Sequence, residues 1–168
     1  MNVIRLAVQT MTSSNRTHAY FRQKYLWLEE YPLEKSAPGL FVLNGCLYAL
    51  IGLFDANTID PNPEISRTMD TLLMSLNELL PLFIDPKQSN WSLYDLGHLT
   101  IGTKINRASY SYHLVHITLL HCLSELFRRT HRSISILFND YAQRFRSAVS
   151  VQDSLSIIDH FYAQENNK

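Results

Sequence analysis

The sequence predicts a mainly α domain built from helical hairpins. Apolar residues recur at helical spacing in five segments between residues 41 and 161, and loops holding Pro61, Pro63 and Pro86 or small polar residues separate them. Apolar residues make up 46% of the chain and charged residues 18%, a balance that supports a packed core and excludes bulk disorder. With 168 residues there is chain for one such core and not for two.

Residues 1–26 show no firm period and read as a poorly determined lead-in. Trp27 to Tyr31 precede Pro32, which disfavours helix at Tyr31 and makes this a stiff extended segment. From Phe41 the pattern turns helical, with Leu43, Leu47, Leu50, Ile51 and Phe54 on one face and Cys46, Tyr48 and Leu53 on the other. A helix apolar on nearly every side should be buried on most of them. The next helix is one-sided, with a stripe from Ile65 through Met69, Leu72, Leu76 and Leu79 to Phe83, stopped by Asp85 and Pro86. Residues 90–106 break the period, and Gly97 and Gly102 there suggest short extended pieces or a structured loop. A helix then runs from Tyr112 to about Arg129, capped by Ser109 or Ser111. Two more amphipathic helices follow, one on Ile134, Leu137, Phe138, Tyr141 and Phe145, the other on Leu155, Ile158 and Phe161. The helical domain spans 27–163, and 164–168 form a solvated tail.

The formal net charge is zero, 15 basic against 15 acidic residues, which disfavours a nucleic-acid partner. Cys46 and Cys122 lie in apolar stretches and read as buried thiols. The longest apolar run, 40–54, is too short for a membrane span, and no signal peptide is apparent. Two glycosylation sequons occur, Asn15-Arg16-Thr17 and Asn90-Trp91-Ser92. Gly45 and Gly52 form no phosphate loop and suit close helix packing.

Ionisable and aromatic side chains gather where the helical pattern fails: Glu29-Glu30-Tyr31, Tyr94-Asp95-Leu96-Gly97-His98, and Tyr110-Ser111-Tyr112-His113. Spacing alone favours half-buried anchoring tyrosines with bonded hydroxyls. His113 and His116 share a helical face without a matching acidic ligand, so core histidines are a better account than a metal site. Glu29, Glu30 and Asp95 also hold the residue types of a glycosidase carboxylate pair, although nothing in the sequence fixes their separation.

The order of the motifs carries more. Glu29-Glu30-Tyr31-Pro32, Phe41-Val42-Leu43-Asn44-Gly45, Leu50-Ile51-Gly52-Leu53, Leu80-Pro81-Leu82, Tyr94-Asp95-Leu96-x-His98 and Tyr112-His113-x-x-His116-Ile117 follow one another in this chain. In that order they resemble the C-terminal domain of the heparosan-N-sulfate-glucuronate 5-epimerase family, over about Trp27 to His121 and more loosely to about residue 148. The resemblance implies an incomplete α/α toroid of helical hairpins, with short extended segments at the site and a β-rich region before it that this chain lacks. It implies an isomerase that converts D-glucuronate to L-iduronate within N-sulfated heparosan, with no cofactor and no metal. Glu30, Tyr31, Tyr94 and Tyr112 fall at its acid and base positions, and Asn44, His98, Asn106, Arg107, His113 and His116 are the expected substrate contacts. It further implies a homodimer in the Golgi lumen, acting on heparan-sulfate polysaccharide and joined to the membrane only through a region outside this chain.

Tyrosine and glutamate suit that chemistry. The C5–H of a uronate lies α to a carboxylate, so epimerisation needs a base on one face of the sugar and an acid on the other. Tyr112 stands at a predicted helix start, where free N–H groups favour anionic groups, and His116 lies one turn further along the same face. Two arginines of the family pattern are replaced, by Gly97 and Ser109, which removes bidentate partners for carboxylate or sulfate unless Arg107 or Lys104 takes their place. Two other readings start from the same residues: a non-catalytic glycan-binding relative or truncated fragment, and a uronate lyase.

Overall fold

The computed structural model describes residues 3–13, 17–31, 34 and 38–149. The helix expected on Leu155, Ile158 and Phe161, and the tail after it, lie outside these residues. Mainly α is the observed class. The elements run α1 (Val3–Ser13), β1 (His18–Phe21), β2 (Tyr25–Leu28), α2 (Leu43–Ile59), α3 (Pro63–Leu79), α4 (Gly97–Thr100), α5 (Tyr110–Phe127) and α6 (Arg132–Arg146), with a 3-10 turn at Leu80–Phe83. No helix among the described residues is long and apolar enough to cross a membrane.

α2 forms the centre. Leu43, Leu47, Leu50 and Leu53 have no exposed surface, and burying each contributes roughly 2 kcal/mol. α3 covers one side of it with Leu72, Leu73, Leu76 and Leu79, and α5 another with Leu120, Leu123 and Phe127. α6 returns along α5 as an antiparallel hairpin and inserts Phe138 and Phe145. Tyr48 remains exposed on α2, so that helix is buried on most sides but not all.

α3 begins where Asn62 accepts the Glu64 N–H at 2.8 Å and Pro63 supplies a preset first residue. It ends as an α-helix at Leu79 because Pro81 has no N–H to continue the ladder, and the chain tightens into the 3-10 turn. The sequence stripe runs through both elements without a break, and every residue named on it above is buried.

The lead-in contains α1 and an antiparallel hairpin in which His18 pairs with Leu28 and Phe21 with Tyr25. Its turn places Arg22 and Gln23 at positive φ without glycine or asparagine. Trp27, on β2, is fully buried and stacks on Phe83 at 5.5 Å. Between α3 and α5, isolated bridges join Ile84 to Ser92 and Leu93 to Arg107, which matches the short extended pieces expected there.

Two expectations are corrected. Cys46 is buried and its thiol is pushed up to about 12 by burial, but Cys122 is exposed because its side of α5 faces away from α2 and α6. Gly52 is not a close-packing position, since a Cβ there meets nothing within 4 Å.

Candidate active site

Four elements converge on Tyr94. Glu30 and Tyr31 lie just past β2, whose last two residues, Trp27 and Leu28, are buried and fix that end of the strand. Tyr94 lies after the Leu93–Arg107 bridge, held from both sides: its N–H donates to Asn106 O at 2.8 Å and its carbonyl accepts the Leu43 N–H at 3.0 Å. Tyr112 sits in the first turn of α5, where the Ser109 hydroxyl accepts its N–H at 3.4 Å.

The rings of Tyr94 and Tyr112 meet edge to face, 4.8 Å apart and inclined by 72°. Tyr94 is half-buried, while Tyr31 and Tyr112 are 52% and 42% exposed, so the cluster opens to solvent. Burial raises the Tyr94 phenol well above the ordinary tyrosine value; the negative charge of Glu30, then Tyr31 through charge and a hydrogen bond, then Tyr112 raise it further. Tyr94 therefore keeps its proton at neutral pH. All four residues expected at the acid and base positions thus lie within one interacting group.

Gly45 explains how Glu30 reaches the cluster. A Cβ at Gly45 would lie 2.7 Å from Glu30 Cβ and 3.1 Å from its Oε2, so the first turn of α2 is open on that side for the glutamate. Gly45→Ala is expected to fold at a cost of about 1–2 kcal/mol, since alanine's helix preference offsets only part of the shift its contact with Glu30 Cβ forces. It should nevertheless displace Glu30 and lower turnover roughly tenfold or more. A melting curve and a proton-exchange assay on the same preparation check both halves.

The expected contact residues divide into two sets. Asn44 stands beside the cluster on α2, buried, with its Oδ1 unpartnered among the described residues; His98 on α4 has a buried Nδ1 in the same condition. These atoms are unspent hydrogen-bonding capacity, shielded from solvent, so a ligand reaches them only if the side chains turn outward. Asn106 donates to Asp95 Oδ2 at 2.5 Å, and the other Asp95 oxygen accepts the Gly97 N–H at 2.9 Å. Asp95 is thereby a structural carboxylate, which removes it from any glycosidase pair.

His113 and His116 are corrected from substrate contacts to core residues. Neither has any exposed surface, because α6 closes over their side of α5, and both point to Ser92. Arg107 is also engaged elsewhere: its guanidinium pairs with the buried Asp85 carboxylate. Burial alone would raise that carboxyl, but the Lys87 N–H and Arg107 together hold it below the ordinary range. Arg107 is therefore not free to replace the arginines absent at 97 and 109. Gly97 has little room for a side chain, with Thr103 Oγ1 2.8 Å and Asp95 Oδ1 3.1 Å from where a Cβ would be.

Sequence reasoning named Glu29 only as a carboxylate of a glycosidase pair and did not foresee its place in the fold: it is buried and accepts the Phe41 N–H at 2.8 Å. Its neighbourhood gave a signal: a second glutamate inside an apolar strand end has no solvated place to go.

The profile of the family described as D-glucuronyl C5-epimerase C-terminus matches residues 5–147. The chain belongs to this family. The match begins upstream of Trp27, so it takes in α1 and the hairpin as well as the helices. A D-glucuronyl C5-epimerase of Caenorhabditis elegans is 41% identical in a 107-residue alignment that covers 56% of this chain and 16% of the relative. The aligned part thus spans about a sixth of that relative's length.

Proposed function

We propose that this chain carries the acid–base centre of an epimerase that inverts carbon 5 of glucuronate to iduronate in N-sulfated heparosan, by proton removal on one face and delivery on the other. The observation that carries this reading is the convergence of Glu30, Tyr31, Tyr94 and Tyr112, four groups able to move protons, in one solvent-open cluster. Tyr94, whose proton is held tightly, is the donor. Tyr112 is the acceptor on the glucuronate side, beside the first-turn N–H groups of α5, which favour negative charge there. The charge of Glu30 favours the protonated form of Tyr94, and the Tyr31 hydroxyl, which bonds Tyr94 and is open to solvent, is the route by which a solvent proton returns to it. Removal of the C5 proton leaves an enolate-like dianion on the substrate, and protonation from the opposite face completes the inversion with no bond of the polymer broken. Asn44 and His98 supply polar contacts to the uronate.

In this reading the helical hairpins form part of an incomplete toroid, and the protein works as a homodimer in the Golgi lumen; the family resemblance supports both. The test is incubation of the chain with N-sulfated heparosan in deuterated water. Deuterium at C5 and new iduronate, with chain length unchanged, are expected. Unsaturated ultraviolet-absorbing ends would identify a lyase. Tight polysaccharide binding with no exchange would identify a binding protein, an outcome to which the cramped Gly97 position lends some weight.

A further inference from the structure

Glu29 lies one residue before the cluster and touches none of the proposed chemistry, yet the chain goes to some length to bury it. Its Oε1 accepts the Phe41 N–H at 2.8 Å, and the Leu40 N–H bonds the same carboxylate. Phe41 has φ +60, the left-handed region that bulky residues avoid, and its ring is locked between Phe21 at 5.3 Å and Trp27 at 5.9 Å. At Gly39 a Cβ would stand 2.1 Å from Glu29 Oε1, so any other residue there would collide with the carboxylate.

The segment so held is the one that positions the rest of the site. Gly39 O accepts the Thr100 hydroxyl at 2.8 Å, Leu40 O accepts the Leu96 N–H at 3.0 Å, and Leu43 N–H donates to Tyr94 O at 3.0 Å. Three links thus run from residues 39, 40 and 43 to 94–100, the stretch bearing Tyr94 and His98. Glu30 and Tyr31 leave from the other side of Glu29.

We propose that Glu29 is a positioning residue that buckles the Glu30–Tyr31 segment after β2 to the 39–43 loop, and through it to the stretch carrying Tyr94, and so sets the spacing of the acid–base cluster. This rests on the epimerase reading for its catalytic consequence but not for its geometry. A carboxylate suits the task because two backbone N–H groups converge on it and it offers acceptors only. Burial pushes it up to about 7, the Phe41 and Leu40 N–H groups oppose that, and the charges of Asp95 and Glu30 add to it. Glu30 on its own segment, Asp95 from the 94–97 stretch and the Cys46 thiol from α2 are the titratable groups facing it. Protonation removes the negative charge that strengthens the bonds from the Phe41 and Leu40 N–H groups, so the buckle weakens as pH falls through about 7 and the change reaches Tyr31 and Tyr94.

The experiment uses chain labelled with carbon-13 at tyrosine Cζ, observed by NMR from pH 5.5 to 8.5, with Tyr31→Phe and Tyr94→Phe for assignment. The Tyr31 and Tyr94 signals are expected to move together with a midpoint near 7, read against exposed Tyr20 and Tyr48 as references, and Glu29→Gln should abolish the movement. In the same variant kcat is expected to fall roughly tenfold to a hundredfold with a smaller change in KM, as for a small misplacement of reacting groups. Flat Tyr31 and Tyr94 signals in the parent, or the same titration persisting in Glu29→Gln, would overturn the proposal even if that variant folds poorly, since the first measurement needs no variant of Glu29. The coupled titration without any C5 exchange would sink the epimerase reading and leave the buckle standing. Full exchange in a folded Glu29→Gln would do the reverse.

Discussion

Iduronate formation is expected to fall by roughly two to four orders of magnitude in both Tyr94→Phe and Tyr112→Phe, the range of a lost acid or base. Deuterium incorporation should separate them. Tyr112 is assigned the removal of the glucuronate C5 proton, so Tyr112→Phe should stop exchange altogether. Tyr94 is assigned delivery on the opposite face, so Tyr94→Phe should still allow Tyr112 to take the proton and return deuterium to the same face. Glucuronate labelled at C5 without iduronate is therefore the mark of Tyr94→Phe. Each mutation removes one hydroxyl and keeps the ring, so the edge-to-face contact at 4.8 Å and the local packing should survive. The raised Tyr94 value, caused first by burial and then by Glu30, is what assigns it the proton. If the two labelling patterns come out reversed, the roles are exchanged. If iduronate yield is unchanged in either variant, that tyrosine has no part in the reaction.

The sequence made the long helices legible because their period is long and their faces differ. The α3 stripe from Ile65 to Phe83 needed only counting, and the observed burial follows it residue by residue. The hairpin at 18–28 escaped because its strands have four residues each and its turn lacks the usual signal. Tight hairpin turns with two positive φ values normally announce themselves as Asn-Gly or Asp-Gly, whereas Arg22-Gln23 carries them here. The acid–base cluster was placed through ordered motifs, not through any spacing rule, since Glu30, Tyr94 and Tyr112 come from three separate segments. The histidines show the limit of face counting. Tyr112 and His116 lie one turn apart on α5, but α6 and Ser92 cover His113 and His116 and leave Tyr112 open, so one is exposed and the other has no contact with solvent. Periodicity gives the faces of a helix, and only packing says what covers each.

That buried pair should make the chain sensitive to acid. The Ser92 N–H donates to His113 Nδ1 at 3.1 Å, so that nitrogen carries a lone pair and the proton sits on Nε2, which donates to Phe145 O at 3.0 Å. The Ser92 hydroxyl lies 2.8 Å from Nδ1 of both histidines, which fits a chain from His116 Nδ1–H through Ser92 to His113. Both rings are neutral in this arrangement, and a proton added to His113 Nδ1 would face the Ser92 N–H. Burial pushes His116 down to about 3, with help from His113, and lowers His113 as well. The folded state thus binds fewer protons than the unfolded chain below pH 6.5, and stability present at neutral pH is lost as pH falls from there toward 3. At pH 5 the loss from His116 alone is about 2 kcal/mol, 1.5 pH units at about 1.4 kcal/mol each. Glu29 works in the opposite sense: its value is raised to about 7, so its contribution is full below the ordinary carboxylate value and is lost as pH rises through 7. A stability profile of the parent mixes the two, and the decisive quantity is a difference. Urea unfolding of the parent and of His116→Leu, at pH 7 and at pH 5, should show the parent falling relative to the variant by about 2 kcal/mol, whatever the variant costs at pH 7. A difference that stays constant between the two pH values would mean that His116 is already charged or not buried, and the neutral relay through Ser92 would have to be abandoned.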